Sequence, residues 1–177
     1  NQYRSVVSEM ILHFSGNESN LFPSDRGIYF SGFVGVGKTA LFDTIQELTR
    51  VAFNKNYFRT FEASRIALIR NEEEFSQALN YSGAALYDDL GSEPESVKIY
   101  GSEILPMVEI IMARYRLFQK KGVPTYFTSN FTIEDLEEKY GTRITSRLTE
   151  MCSVLKLDGK DMRRIRPADK PQPRHDG

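Results

Sequence analysis

Eight residues, Gly32-Phe-Val-Gly-Val-Gly-Lys-Thr39, restrict the folds open to this chain more than any other stretch. They match G-x-x-x-x-G-K-[ST], a pattern that cradles phosphate only when a strand feeds the loop and a helix leaves it. Both flanks comply. Gly27–Ser31 (GIYFS) is a short, largely apolar run that predicts a strand, and Leu41, Ile45, Leu48 and Ala52 recur at helical spacing beyond Lys38. Glycines let such a loop curl until successive N–H groups point inward, and the helix start adds partial positive charge to the same anion site. The stretch therefore reads as a phosphate-binding loop and not as a plain glycine turn. Its cofactor-binding residues are expected to be Gly32, Val34, Gly35, Val36, Gly37, Lys38, Thr39 and Ala40. Lys38 would reach the β- and γ-phosphates of ATP as a point charge, and the Thr39 hydroxyl would ligate Mg²⁺.

The rest of the chain supplies a sheet for this loop. Further strands are predicted at 57–61, 83–87, 124–128 and 153–157. Between them helical patterns cover 64–79, 103–121, 132–139 and 144–151, the third with Thr132 as N-cap. Strands alternating with helices imply a parallel sheet covered on both faces. Ahead of the first strand, apolar residues at 6, 7, 10, 11 and 14 predict a short helix. The expected division is an N-terminal helix and linker over 1–26, one core over 27–158, and a basic, proline-bearing, disordered tail over 159–177. A chain of 177 residues suits one such core. A net charge of −1 gives no global pull on nucleic acid, so any such contact must come from a local patch. One cysteine and two histidines, far apart, make neither an internal disulfide nor a transition-metal cluster, and a reducing, cytoplasmic setting is expected. No apolar run approaches the roughly 18 residues of a membrane span. A chain that opens at Asn1 is expected to be a piece of a longer protein.

A phosphate loop needs a metal-binding acid at the end of a neighbouring strand, and "AALYDDL" offers two. Asp88 is the expected outer ligand of Mg²⁺, while Asp89 would orient or deprotonate the attacking water, with Glu93 as a second candidate for that role. In "PTYFTSN" the polar residues Thr128, Ser129 and Asn130 fall at the carboxyl edge of a strand, where open α/β sheets bind ligands, and Asn130 is placed to hold the γ-phosphate or the lytic water. Arg143 and Arg147 stand four apart, one helical face if both are helical. An arginine lent to a neighbouring subunit's nucleotide would neutralise transition-state charge, and that role requires an oligomer.

Taken together, "GFVGVGKTAL", "ALYDDLGSE", "IYG", Arg114-Tyr115, "PTYFTSN", "L..KYG.R" and "SRL.EM" resemble the AAA+ ATPase domain of bacterial replicative-helicase loaders and their insertion-sequence relatives, the DnaC/IstB type. The resemblance spans roughly residues 27–157. It implies a three-layer P-loop NTPase of AAA+ type, with a parallel five-stranded sheet between helices; the sequence departs from the full pattern in the short stretch after its last strand, so the lid is expected to be absent or minimal. It makes Gly32–Thr39 the Walker A, Asp88 and Asp89 the Walker B, Asn130 the sensor, and Arg147, then Arg143, the arginine finger. ATP between subunits of a ring or spiral, single-stranded DNA, and a replicative helicase or other client contacted through regions beyond this chain are the implied partners, with no membrane. Basic and aromatic residues at Arg65, Arg70, Lys98, Tyr100, Arg114, Tyr115, Arg116, Phe118, Lys120 and Lys121 are the candidates for a single-strand groove. The alternatives are a transposition accessory ATPase of IstB type, a small-molecule or nucleotide kinase, and a nucleotide-binding module without turnover.

Overall fold

Strands that look uniformly apolar conceal a period of two. Ile28 and Phe30 join one cluster of core side chains while Tyr29, between them, joins another. Leu86 and Tyr126 belong with the first pair, and Ala85, Tyr87 and Phe127 with Tyr29. Such strands are buried on both faces and need helices on each.

The computed structural model describes residues 2–53, 57–68, 72–94, 97–99, 102–159 and 161. In chain order they form α1 (Gln2–Ser15), β1 (Gly27–Ser31), α2 (Lys38–Phe53), β2 (Arg59–Glu62), α3 (Ala63–Leu68), α4 (Glu72–Asn80), β3 (Ala85–Leu90), β4 (Val97–Ile99), β5 (Ser102–Ile104), α5 (Pro106–Lys121), β6 (Thr125–Ser129), α6 (Ile133–Tyr140), α7 (Thr142–Met151) and β7 (Cys152–Lys156). Five strands make one sheet in the order β2-β3-β6-β1-β7, every neighbouring pair parallel. α1 and α2 cover one face through Val6, Met10, Phe14, Phe42 and Ile45, and the helices α3 to α7 cover the other. The expected α/β sandwich, helices on either side of a five-stranded parallel sheet, is the one found.

Local differences have local causes. The predicted helix over 103–121 starts only at Pro106, because the residue before a proline is pushed out of the helical region: Leu105 is extended, at φ −102° and ψ 96°. The residues ahead of it, Ser102–Ile104, pair antiparallel with Val97–Ile99 as a small separate ribbon that alternation over three residues could not announce. The helix predicted over 64–79 is two helices, α3 and α4. Thr132 caps α6 as expected, in a reciprocal capping box with Asp135. Of the tail predicted over 159–177, all but residues 159 and 161 lie outside the described residues, and the lid expectation with them; Arg70 and Tyr100 lie outside them too.

Arg114 corrects the groove expectation. It is 1% exposed, the largest fully buried side chain among the described residues, and its guanidinium donates to the carbonyls of Tyr81, Gly83 and Pro124 and to the Thr125 hydroxyl at 2.8–3.2 Å. A side chain so used ties the entries of β3 and β6 together and is not available to DNA.

Candidate functional site

The sheet brings the carboxyl ends of β1, β3 and β6 side by side, and the residues with chemistry sit there. β1 delivers the loop to the start of α2. Gly32, Gly35 and Gly37 take φ values of 145°, 83° and 90°, the range that favours glycine. A Cβ on Gly32 would lie 2.4 Å from the Leu157 carbonyl oxygen, and one on Gly35 would lie 1.9 Å from Oδ1 of Asp161. Val34, Gly35, Gly37, Lys38, Thr39 and Ala40 line one wall of a cleft of about 420 Å³, and Asp89 and Asn130 line the other.

Lys38 is 5% exposed and folds back over its own loop, donating to the carbonyls of Gly32 (2.7 Å) and Phe33 (3.1 Å) and to Oδ1 of Asn130 (2.8 Å). The amide nitrogen of Asn130 in turn donates to Asp89 at 3.4 Å, so this one side chain bridges the lysine and the second aspartate. The Thr39 hydroxyl donates to Asp88 at 2.8 Å.

The aspartates owe their placement to an irregularity in the sheet. Tyr87 pairs with Phe127 but Leu90 pairs with Ser129, three steps on β3 against two on β6. The extra residue forms a bulge, a device that re-aims side chains beside sites. Within it Asp89 has a left-handed backbone, φ 56°, unique among the described non-glycine residues. Thr128 fills the gap, accepting from the Asp89 N–H at 3.0 Å and donating its hydroxyl to Asp88. Sequence placed Thr128 at the sheet edge but could not assign it this double duty.

Oxygen donors of this kind fit Mg²⁺, which takes one or two carboxylates and completes its shell with phosphate oxygens and water. The Thr39 hydroxyl and Asp88 are the residues that would hold it. Asp43, one helical turn beyond Thr39, shows the local excess of negative charge: burial first, and then the charge of Asp88, raise its carboxyl above the usual range. It was missed in the sequence, although its spacing of four from Thr39 puts the two on one face of α2. Among the described residues no group of three or more His, Cys, Asp or Glu could hold a metal by protein ligands alone.

Of the expected site residues, Gly32, Val36 and Asp88 adjoin the cleft without lining it, whereas Glu93, Arg143 and Arg147 lie elsewhere, outside the lining. Glu93 is 4% exposed, and both its carboxyl oxygens are engaged, one by the Gly91 N–H of its own turn and the other by the Tyr140 hydroxyl of α6, so the structure does not bring it to the water-activating position. Arg143 and Arg147 share α7. Arg143 is exposed, whereas Arg147 lies over the Tyr115 ring at 5.1 Å and donates to the Arg143 carbonyl at 2.8 Å. Tyr3 is a contact sequence reading had no means to find. Its hydroxyl donates to the Val36 carbonyl of the phosphate loop at 2.6 Å, from a helix 33 residues away in sequence.

No family model matches the sequence, and no curated protein matches it. Solved structures do match. A candidate primosome component from Streptococcus pyogenes serotype M3 aligns over 89% of this chain and 79% of its own, with 18% identity and a TM-score of 0.63. The DnaC helicase loader aligns over 89% of this chain and 90% of its own, with 20% identity and a TM-score of 0.61. The fold is that of the AAA+ helicase loaders. A replication initiator DnaA bound to AMPPCP and single-stranded DNA shares the AAA+ fold more loosely, over 80% of this chain and 43% of its own, at 15% identity and a TM-score of 0.52. In this AAA+ frame the loop, the bulged aspartates and Asn130 stand at the ends of three adjacent strands, β1, β3 and β6.

Proposed function

We propose that this chain is a Mg²⁺-dependent ATPase domain that works in DNA replication as a helicase loader, completing each active site with an arginine from a neighbouring copy. The observation that carries the reading is the convergence of Lys38, the Thr39–Asp88 pair and the Asn130–Asp89 pair on one cleft beside the phosphate loop. Loop amides and Lys38 bind the phosphates, and bound Mg²⁺ supplies neutralisation of charge on the phosphate oxygens. Asp89 orients the lytic water, and Asn130 lets go of Lys38 to meet the γ-phosphate. Lys38 would exchange carbonyl and amide acceptors for anionic ones, which make stronger hydrogen bonds.

Arg147 suits the role in trans. Its Nε is buried without a hydrogen-bond partner among the described residues, a deficit of about 1–3 kcal/mol that a swing toward a neighbour's anion would remove. Arg143, exposed one turn earlier, is the second candidate. Engagement of single-stranded DNA remains part of the proposal, supported by the loader fold and by the DnaA structure that holds such a strand. The test is ATP turnover against protein concentration, with and without single-stranded DNA. Turnover per chain should climb with concentration. Arg147→Ala should keep nucleotide affinity yet lose about 10³-fold in turnover, the range set by trans-acting arginines, and Lys38→Ala should lose both. Turnover per chain that is independent of concentration and of Arg147 would overturn the assembly.

A further inference from the structure

"DDLG.E" and "KYG" stand far apart in the sequence, and the lining of the nucleotide cleft includes none of Glu93, Lys139 and Tyr140. The structure joins them. Glu93 accepts the Gly91 N–H at 2.9 Å through one carboxyl oxygen and the Tyr140 hydroxyl through the other. Lys139 lies 3.6 Å from the same carboxyl group and donates to two carbonyls of this segment, Gly91 at 2.6 Å and Glu93 at 2.7 Å. The carbonyls of Gly91 and Glu93 and one carboxyl oxygen of Glu93 are thus held by the last residues of α6.

That turn is the one that presents Asp89. The Asp89 carbonyl accepts from both the N–H (3.1 Å) and the hydroxyl (2.6 Å) of Ser92, closing a tight hook around Gly91, whose φ is 95°. A Cβ on Gly91 would fall 2.6 Å from the Phe131 ring, so the hook lies flat on the segment that follows Asn130. A left-handed aspartate is strained and persists only where its surroundings over-determine it. The surroundings here are Thr128 on one side and the Glu93 cluster on the other. Burial, and after it the neighbouring Glu93, raise the Tyr140 hydroxyl above its ordinary range, so it stays a donor at any working pH.

We infer that Glu93, Lys139 and Tyr140 form a clamp of positioning residues that fixes the backbone of Asp89 for catalysis, and that Glu93 does not itself touch the lytic water. The inference rests on the ATPase reading above and deepens it: it assigns the second acidic motif a mechanical role. α6 runs through Gly141, φ 83°, directly into α7, so the clamp also fastens Asp89 to the helix that carries Arg143 and Arg147.

The test uses Tyr140→Phe, which removes only a hydroxyl, beside Glu93→Gln, their double variant and Asp89→Asn. Turnover under nucleotide saturation, binding of a fluorescent ATP analogue, and amide exchange at Gly91 and Ser92 are measured for each. The clamp predicts a loss in kcat of about 10- to 100-fold in both single variants with nucleotide affinity unchanged, no further loss in the double variant, and faster exchange at both amides. The acid limb of the pH–rate profile should remain in Glu93→Gln. Four results would overturn the clamp: wild-type kcat in Tyr140→Phe and Glu93→Gln while Asp89→Asn is inactive, additive losses, unchanged exchange, or disappearance of the acid limb, which would make Glu93 the base. Full activity in Asp89→Asn would remove the ATPase reading and the clamp together.

Discussion

Arg114 shows how a single residue can be legible in type and illegible in role. In the sequence it sits beside Tyr115 in a basic and aromatic run, which is what a nucleic-acid groove would display. In the fold its position on α5 faces inward, and four hydrogen bonds, with no acidic partner among them, satisfy the guanidinium. Burial, first, lowers its basicity from the ordinary range, as expected of a cation held by neutral acceptors. Arg114→Met should therefore act on stability: stranding three carbonyls should cost about 3 kcal/mol and lower Tm by about 6–12 °C, read by calorimetry. Affinity for single-stranded DNA should not change at temperatures where the variant is folded. The places of Lys38 and Thr39 were legible because their chemistry demands a fixed offset within one loop, and that of Asp88 because an apolar strand runs into it. The engagement of Glu93 by Gly91 and Tyr140 was not legible, because sequence distance from Asp89 says nothing about which way a tight turn faces.

Among the elements, α1 was predicted from its apolar spacing, but not the manner of its attachment. His13, 6% exposed, donates from Nδ1 to the Phe22 carbonyl (2.9 Å) and meets the Tyr126 hydroxyl through Nε2 (3.2 Å), so it pins α1 both to the loop before β1 and to β6. Desolvation, the larger influence, lowers its pKa below the ordinary value despite the carbonyls that favour its charged form. The unfolded chain, with a histidine pKa of about 6.5, then binds the proton more readily than the native one. Stability should be full above that value, fall as pH drops through it, and level off below the folded pKa. Thermal melts between pH 7.5 and 5 should show that decline, and His13→Gln, destabilised throughout, should show a shallower one over the same window. The ribbon of β4 and β5 was the element least legible in the sequence, since three residues a strand carry too little pattern to outweigh the helical run that follows them.

At the scale of the molecule the strand order could be anticipated only as far as a parallel sheet; nothing in the residues states that β6 lies between β3 and β1, yet that insertion is what sets Asn130 between Lys38 and Asp89. Cys152, the single cysteine, reports on the whole arrangement. It is 1% exposed at the start of the edge strand β7, and burial pushes its thiol well above the ordinary range. A thiol reagent at pH 8 should label it only as fast as the fold opens, so denaturant should accelerate labelling in step with unfolding, and saturating nucleotide should slow it further. The hydrogen bond from Tyr3 to Val36 has a consequence of a different kind. The chain contains no tryptophan, and residue 3 rests against the arch that holds phosphate. An indole introduced there would be the lone fluorophore of its type in the protein, converting the grip of the first helix on the loop into an optical gauge of what the loop holds.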